Sequence, residues 1–182
     1  MVIENSLTGS TKDRSDSETG RSSIQLACFR VGDQMYSLDI LRIKEVIRPL
    51  KITPVPKAPI FIEGVINLRG VVLPVVDLRK RFEQPVGRAD SKTRILICVL
   101  SGKIIGLIVD EVVEVKSFTR SEIQQAPRFI KGLDTDYFLG VCQRNDDLVM
   151  IMNLEKILST DEKIDLEQIR NHVPDPAKTR NE

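Results

Sequence analysis

Few residues in this chain have the type and spacing for chemistry. His172 is the single histidine and stands two residues before Pro174. Nucleophilic catalysis of the Ser–His or Cys–His kind needs the imidazole in a cleft beside its nucleophile. A position in a C-terminal tail does not supply one. Asp110 and Glu111 are adjacent, and neighbours on a strand point to opposite faces, so they do not share a site. Asp39 and Glu45 read as isolated surface carboxylates. Cys28, Cys98 and Cys142 are far apart, each flanked by apolar residues, and no C-x-x-C pair exists. Zinc ligation and thioredoxin-like chemistry are therefore not expected; buried, reduced thiols in strands are. Neither a G-x-x-x-x-G-K-[ST] loop nor a G-x-G-x-x-G fingerprint occurs. The chain is expected to be no enzyme, with no metal and no cofactor.

Composition points the same way. The 182 residues carry a net charge of +1, and aromatics are 4% with no Trp. A nucleic-acid binder needs a basic excess and stacking rings, so no nucleic acid is expected. Arg79-Lys80-Arg81 is a short basic cluster, read as a solvated helix face. Apolar runs fall far short of the roughly 20 residues that span a bilayer, and no apolar segment follows Met1 as a secretory signal would. A cytoplasmic protein without membrane insertion is the expectation.

The stretch that organises the chain runs from Gly64 to Arg79. Val65-Ile66 and Val71 to Val76 are rich in β-branched residues, as strands are. Asn67-Leu68-Arg69-Gly70 joins them, and Gly70 reaches φ > 0 without strain. Arg69 at the tip is expected to face solvent or a partner. Pro74 removes a ladder donor, so its strand is expected at an edge or with a bulge there. Asp77 is the expected N-cap of a short helix over 77–82.

Elsewhere the pattern is dense in strands. Ile24 to Val31 and Met35 to Leu38 flank a hairpin turn at Gly32-Asp33, and Ile43 to Val46 alternates as a strand. Pro49, Pro54, Pro56 and Pro59 mark a long loop. Residues 94–100 and 104–109 flank a turn near Gly102. Val112 to Val115 forms a further strand, and a last hairpin turns at Asn145-Asp146. Thr8 to Ser23 has no large apolar residue and is expected to be disordered. Ser159 and Glu162 have capping-box spacing, opening a C-terminal helix that Pro174 ends.

The two halves repeat. Tyr36 to Val46 aligns with Ile105 to Val115. Ala58 to Gly64 aligns with Ala126 to Gly132, and Val75 to Lys80 with Ile151 to Lys156. In this alignment the Asn67–Gly70 turn has no twin. Such a repeat, with about five strands per copy, best hides its edges by curling. The expectation is a mainly β fold: two five-stranded β-barrels packed side by side, with short helices and a C-terminal helix. The boundaries are a disordered tail at 1–23, lobe one at about 24–82, a linker at about 83–93, lobe two at about 94–158, and a C-terminal helix and tail at 159–182. The groove between such lobes is a natural binding surface.

From about Ile24 to Leu158 the chain resembles CheW, the adaptor family of bacterial chemotaxis. The resemblance is carried by Phe29 to Asp33, Tyr36 to Ile40, Glu45 to Ile47, Pro59 to Gly70, Leu73 to Arg79, Gly106 to Asp110 and Asn153 to Leu158. It implies two intertwined SH3-like barrels and no catalytic activity. It also implies a role in coupling chemoreceptors to the histidine kinase CheA at the receptor array on the inner face of the membrane. The implied partners are the cytoplasmic tip of a chemoreceptor and the regulatory domain of CheA. The implied receptor-binding positions are Ile43, Glu45, Gly64 and Arg69, with Asn67 and Gly70 of the same turn. Other expectations are a non-flagellar chemosensory pathway, a piece of a larger CheW-domain protein such as the kinase's regulatory domain, or a double barrel binding peptides or nucleic acid. Met1 and the charged tail favour a complete adaptor over a fragment.

Overall fold

A computed structural model describes residues 23–125, 135–159, 161–163 and 168. The N-terminal tail, residues 126–132 of the repeat, His172 and most of the C-terminal helix lie outside them. Ten strands form two five-stranded sheets. In chain order these are β1 (Ser23–Val31), β2 (Gln34–Asp39), β3 (Ile43–Ile47), β4 (Ile62–Leu68), β5 (Val71–Asp77), β6 (Arg94–Leu100), β7 (Lys103–Val109), β8 (Glu111–Thr119), β9 (Phe138–Arg144) and β10 (Asp147–Met152). A single α-turn, α1 (Leu78–Arg81), follows β5, and 3-10 turns cover Ile40–Arg42, Arg120–Glu122, Thr135–Tyr137 and Leu154–Lys156. No helix among the described residues is long and apolar enough to cross a membrane.

The first sheet has the order β8-β1-β2-β10-β9 and the second β3-β6-β7-β5-β4. Moving five strands along the chain turns the first order into the second, so the repeat is built into the topology. It also corrects the expected lobe boundaries. Each sheet takes strands from both halves, through the parallel pairs β2–β10 and β5–β7. The linker at 83–93 therefore divides the sequence but not the barrels: β1 and β2 join β8–β10 in one, and β6 and β7 join β3–β5 in the other.

Burial explains the apolar runs. Leu26, Cys28, Met35, Phe118, Cys142, Val149 and Ile151 fill one barrel. Ile66, Leu73, Val75, Ile95, Ile97 and Ile108 fill the other. The opposite faces of the same strands meet in a third cluster between the barrels, with Phe29, Tyr36, Phe61, Leu96, Leu107, Phe138 and Met150. Strands such as β1, β6 and β10 are thus buried on both faces and lose strict alternation. Tyr36 is central there, with ring centroids 4.9 Å from Phe82 and 6.0 Å from Phe138.

The turns at Gly32-Asp33, Ser101-Gly102 and Asn145-Asp146 form as expected. Pro74 does not sit on an edge, because β5 has β4 on one side and β7 on the other. Val65, its partner on β4, directs both its N–H and its C=O to Thr53, at 2.9 Å each. Pro74 therefore belongs to a pair without direct ladder bonds, and its missing donor faces the β7 side, where pairing begins only at Val75. The bulge lies across from it, between Ile62 and Gly64 on β4.

All three cysteines are free and buried. Burial pushes the Cys98 thiol up to about 12 and the Cys142 thiol up to about 11; it raises Cys28 as well. Because the thiolate is the reactive form, folded protein at about pH 8 is expected to react with a thiol-specific disulfide reagent far more slowly than free cysteine does. All three should react at once in denaturant. Fast reaction of one thiol in the native state would contradict the packing.

Candidate functional site

Four of the residues singled out in the sequence, Glu45, Asn67, Arg69 and Gly70, meet at the β4–β5 turn. Arg69 and Gly70 both have positive φ, 52° and 86°. Gly70 takes that conformation freely; Arg69 takes it at a cost that neighbouring bonds must offset. One of these is local: the Gly70 N–H donates to Asn67 Oδ1 at 2.8 Å. Asn67 thus closes the turn.

The second bond crosses the barrel. Glu45, on edge strand β3, accepts from both terminal nitrogens of Arg69, at 2.8 and 2.9 Å. The geometry is a bidentate fork, the strongest form of this pair. Hydrogen bonding from Arg69 holds the Glu45 carboxyl below its ordinary range, and Glu45 raises Arg69 in return. Glu45 is not the isolated carboxylate expected, because β3 and the turn stand over the same end of the second barrel. The Arg69 side chain stays 73% exposed, so the fork displays the guanidinium rather than hiding it.

Gly64 acts through its backbone. It is buried, with φ 145°, and an added Cβ would lie 2.2 Å from the Thr53 carbonyl oxygen. Only glycine lets the 48–61 loop lie against β4. Ile43 opens β3 and packs against the shared core. Glu45, Asn67, Arg69 and Gly70 thus meet at one turn, while Ile43 packs toward the core between the barrels and Gly64 lies under the 48–61 loop.

The basic cluster behind this surface is not a solvated face. Arg79 is buried between Asp77 and Asp110, at 2.7 and 3.2 Å. Lys80 pairs with Glu63 at 2.5 Å. Arg81 stacks on Phe61 at 4.3 Å and forks to Glu162 at 3.1 and 3.2 Å. The capping box at Ser159 and Glu162 forms, with Ser159 N–H donating to Glu162 at 2.6 Å and Glu162 N–H to Ser159 Oγ at 3.2 Å. A pocket of about 390 Å³ beside it is lined by paired acids and bases, including Arg81, Glu155 and Lys163. Among the described residues, no three His, Cys, Asp or Glu side chains converge as a metal site requires.

The second barrel's clasp has a counterpart, of which the sequence alignment already matched the acid, Glu45 with Glu114, but missed the arginine and its turn. Leu38 and Leu107 are equivalent, as are Ala27 and Leu96. Glu45 therefore corresponds to Glu114, since they pair beside Ile97 and Cys28 respectively. Glu114 also accepts from an arginine on the facing hairpin, Arg144. The turn has a twin as well, Asn145-Asp146, whose Asn145 has φ 53°. Arg69 differs from Arg144 in exposure: the Arg144 side chain is only 18% exposed. The missing signal was a one-residue offset of the arginine between copies.

The fold and the site together define a two-lobed β-barrel protein with an ion-pair clasp displayed on one lobe. Its family follows from comparison. The family model for the CheW-like domain matches residues 25–162. The chemotaxis protein CheW of Klebsiella aerogenes is 34% identical over 134 residues, 74% of this chain and 81% of that one. CheW of Bacillus subtilis is 33% identical over 153 residues, 84% and 94% of the two chains. The crystal structure of a scaffolding protein, TtCheW from Thermoanaerobacter tengcongensis, superposes with a TM-score of 0.72 at 32% identity, covering 80% of this chain and 94% of that one. The chain belongs to the CheW-like family.

Proposed function

We propose that this protein is a non-catalytic adaptor that couples chemoreceptors, the methyl-accepting chemotaxis proteins, to the histidine kinase CheA at a receptor array. The receptor's cytoplasmic tip, a helical hairpin, docks beside the Asn67–Gly70 turn and contacts Arg69, Glu45 and Ile43. The kinase's regulatory domain, a fold of the same kind, engages the lobes elsewhere. The observation that carries the docking role is the exposed fork of Arg69 on Glu45. A bidentate pair fixes the guanidinium in place yet leaves most of it open to a partner, which lowers the ordering cost of binding. Membership of the CheW-like family supplies the identity of the partners.

Arg69→Glu should leave the circular dichroism spectrum and melting curve close to wild type, because the side chain is exposed. Binding to a purified receptor-tip fragment should fall roughly ten- to a hundredfold, the scale of a lost charged contact plus a new repulsion. Exchanging the pair, as Glu45→Arg with Arg69→Glu, restores the fork but not the partner's view of it, and binding should stay weak. Undiminished binding by a folded Arg69→Glu protein would refute the docking role.

A further inference from the structure

Arg69 and Glu45 neutralise each other, so the clasp carries no net charge. The chain beside it does. From Ile43 to Ile60 there are four cations, Lys44, Arg48, Lys51 and Lys57, against the single anion Glu45. All four cations are exposed. Among the described residues none of the four has a side-chain hydrogen bond or ion pair. This contrasts with Arg42, Arg79, Lys80, Arg81, Lys92 and Arg144, each paired to a carboxylate.

Two anchors place these cations. Glu45 is tied to Arg69 at one end, and Thr53 is bridged to Val65 at the other. The antiparallel bridge makes the chain before Thr53 run along β4 toward the turn. Lys44 and Arg48 thus flank Glu45 along the chain, Lys44 on the solvent face of β3, and Lys51 lies on the stretch that runs back along β4 toward Asn67. Apolar side chains are interleaved with them: Val46 is 45% exposed and Leu50 42%. Unpaired like charges beside one another raise the energy of the free protein.

We infer that Lys44, Arg48 and Lys51 form a basic rail that receives an acidic, amphipathic helical segment of the docked partner. The inference rests on the receptor reading above and adds the chemistry of the partner's contacting face. Lys44 and Arg48 are four residues apart on nearly extended chain, about 13 Å. That is close to two turns of helix, about 11 Å. A helix presenting an apolar ridge to Val46 and Leu50, flanked by carboxylates, complements both features. A membrane surface is the poorer match: polybasic lipid binding relies on about four to eight clustered cations, whereas here three are separated by apolar and proline residues along a clasp.

The test is titration of a soluble receptor-tip fragment, at about 0.05 and about 0.3 M salt. The proteins are wild type, Lys44→Glu/Arg48→Glu/Lys51→Glu, the charge-conserving Lys44→Arg/Arg48→Lys/Lys51→Arg, and Arg69→Glu. The reversed variant should stay folded by circular dichroism and bind at least about tenfold more weakly at low salt, with a flatter salt dependence. The charge-conserving variant should bind as wild type does. Unchanged affinity and salt dependence in the reversed variant, with Arg69→Glu still weak, would overturn the rail and leave the receptor reading standing. Failure of wild-type protein to bind the fragment would overturn both. Wild-type binding to phosphatidylglycerol vesicles that the reversed variant loses, with fragment binding unchanged, would assign the rail to lipid and overturn it as a protein contact.

Discussion

Gly64→Ala is expected to lower the melting temperature by about 10 °C or more. Two costs act together. A φ of 145° is a conformation that only glycine takes readily. The new Cβ would also sit 2.2 Å from the Thr53 carbonyl oxygen and 2.9 Å from Ile52 Cγ2. The first of these is backbone, and it is held by the paired bonds between Thr53 and Val65, 2.9 Å in each direction. Relief requires pulling the 48–61 loop off β4, which opens those bonds and uncovers Ile52 from its barrel core. A loss of about 3–5 kcal/mol is the scale of such combined strain and unpacking. Two related positions calibrate it. Gly140, the equivalent residue on β9, would place a Cβ 2.6 Å from the Gln124 carbonyl oxygen on ordinary backbone. Gly70 has φ 86° with nothing within 4 Å. Alanine should therefore cost most at 64, less at 140, and only about 1 kcal/mol at 70. Denaturant melts of the three variants give the order; hydrogen exchange at Thr53 and Val65 should accelerate selectively in Gly64→Ala. A melting curve unchanged at 64 would show that the loop leaves β4 without cost.

The pair Gly64 and Gly140 also shows where the repeat was misjudged. Aligning Ala58–Gly64 with Ala126–Gly132 matched segments identical at five of seven positions. The structure makes Gly140 the twin, because Gly64 and Gly140 both lie under a bridge, Thr53–Val65 in one copy and Gln124–Val141 in the other. Backbone bonds confirm it: Asp77 N–H donates to Phe61 O at 2.8 Å, and Asn153 N–H to Tyr137 O at 2.7 Å. The extra residues of the second copy therefore fall between its Gln124 bridge and β9. Local residue identity was a weaker guide than the bridge, which no sequence pattern announces.

Much of the architecture was legible because it is local. Turns at Gly32-Asp33 and Asn145-Asp146, the strands between them and the Asp77 cap depend on near neighbours. The cap forms, with Arg79 N–H donating to Asp77 Oδ1 at 2.9 Å. What escaped reading depends on partners distant in sequence. Glu45 looked isolated because Arg69 is 24 residues away. Strand exchange between barrels was implied by the family resemblance but not legible in the residues themselves, because β2 pairs with β10 across more than a hundred residues, as Met35 with Val149. The site residues themselves were reached through family resemblance, and the geometry adds what each side chain does there.

Arg79→Ala should be as damaging as Gly64→Ala, for a different reason. The Arg79 and Asp77 side chains are 7% and 1% exposed. Arg79 donates through Nε and Nη2 to the two oxygens of Asp77, at 3.0 and 2.7 Å, and through Nη1 to Asp110 at 3.2 Å. Asp110 in turn accepts the Gly32 N–H at 2.7 Å. One guanidinium thus joins the end of β5, the β7–β8 crossing and the β1–β2 turn. The other copy has the matching clasp with charges inverted. Glu155, the equivalent of Arg79, accepts from Arg42 at 3.1 Å and from the Ser101 N–H at 3.3 Å. These two clasps stand where the chain crosses between barrels. The Arg79 clasp is the costlier to break, because its loss leaves the Asp77 carboxylate buried without its counter-charge. Removing one member of a buried pair costs about 3–5 kcal/mol, against about 0–1 kcal/mol for an exposed one. Arg42→Ala is the exposed comparison, with side chains 46% and 36% exposed in its pair with Glu155. Arg79→Lys should rescue little, since one ammonium cannot reproduce three donors spread over a plane. A double-mutant cycle, Arg79→Met with Asp77→Asn, separates the penalty of an orphaned charge from the worth of the pair. If the double variant is more stable than Arg79→Met alone by about 2 kcal/mol or more, the orphaned carboxylate is the cause. If the two are equally unstable, the lost packing of the arginine itself, at the junction of the two barrels, is what holds the lobes in register.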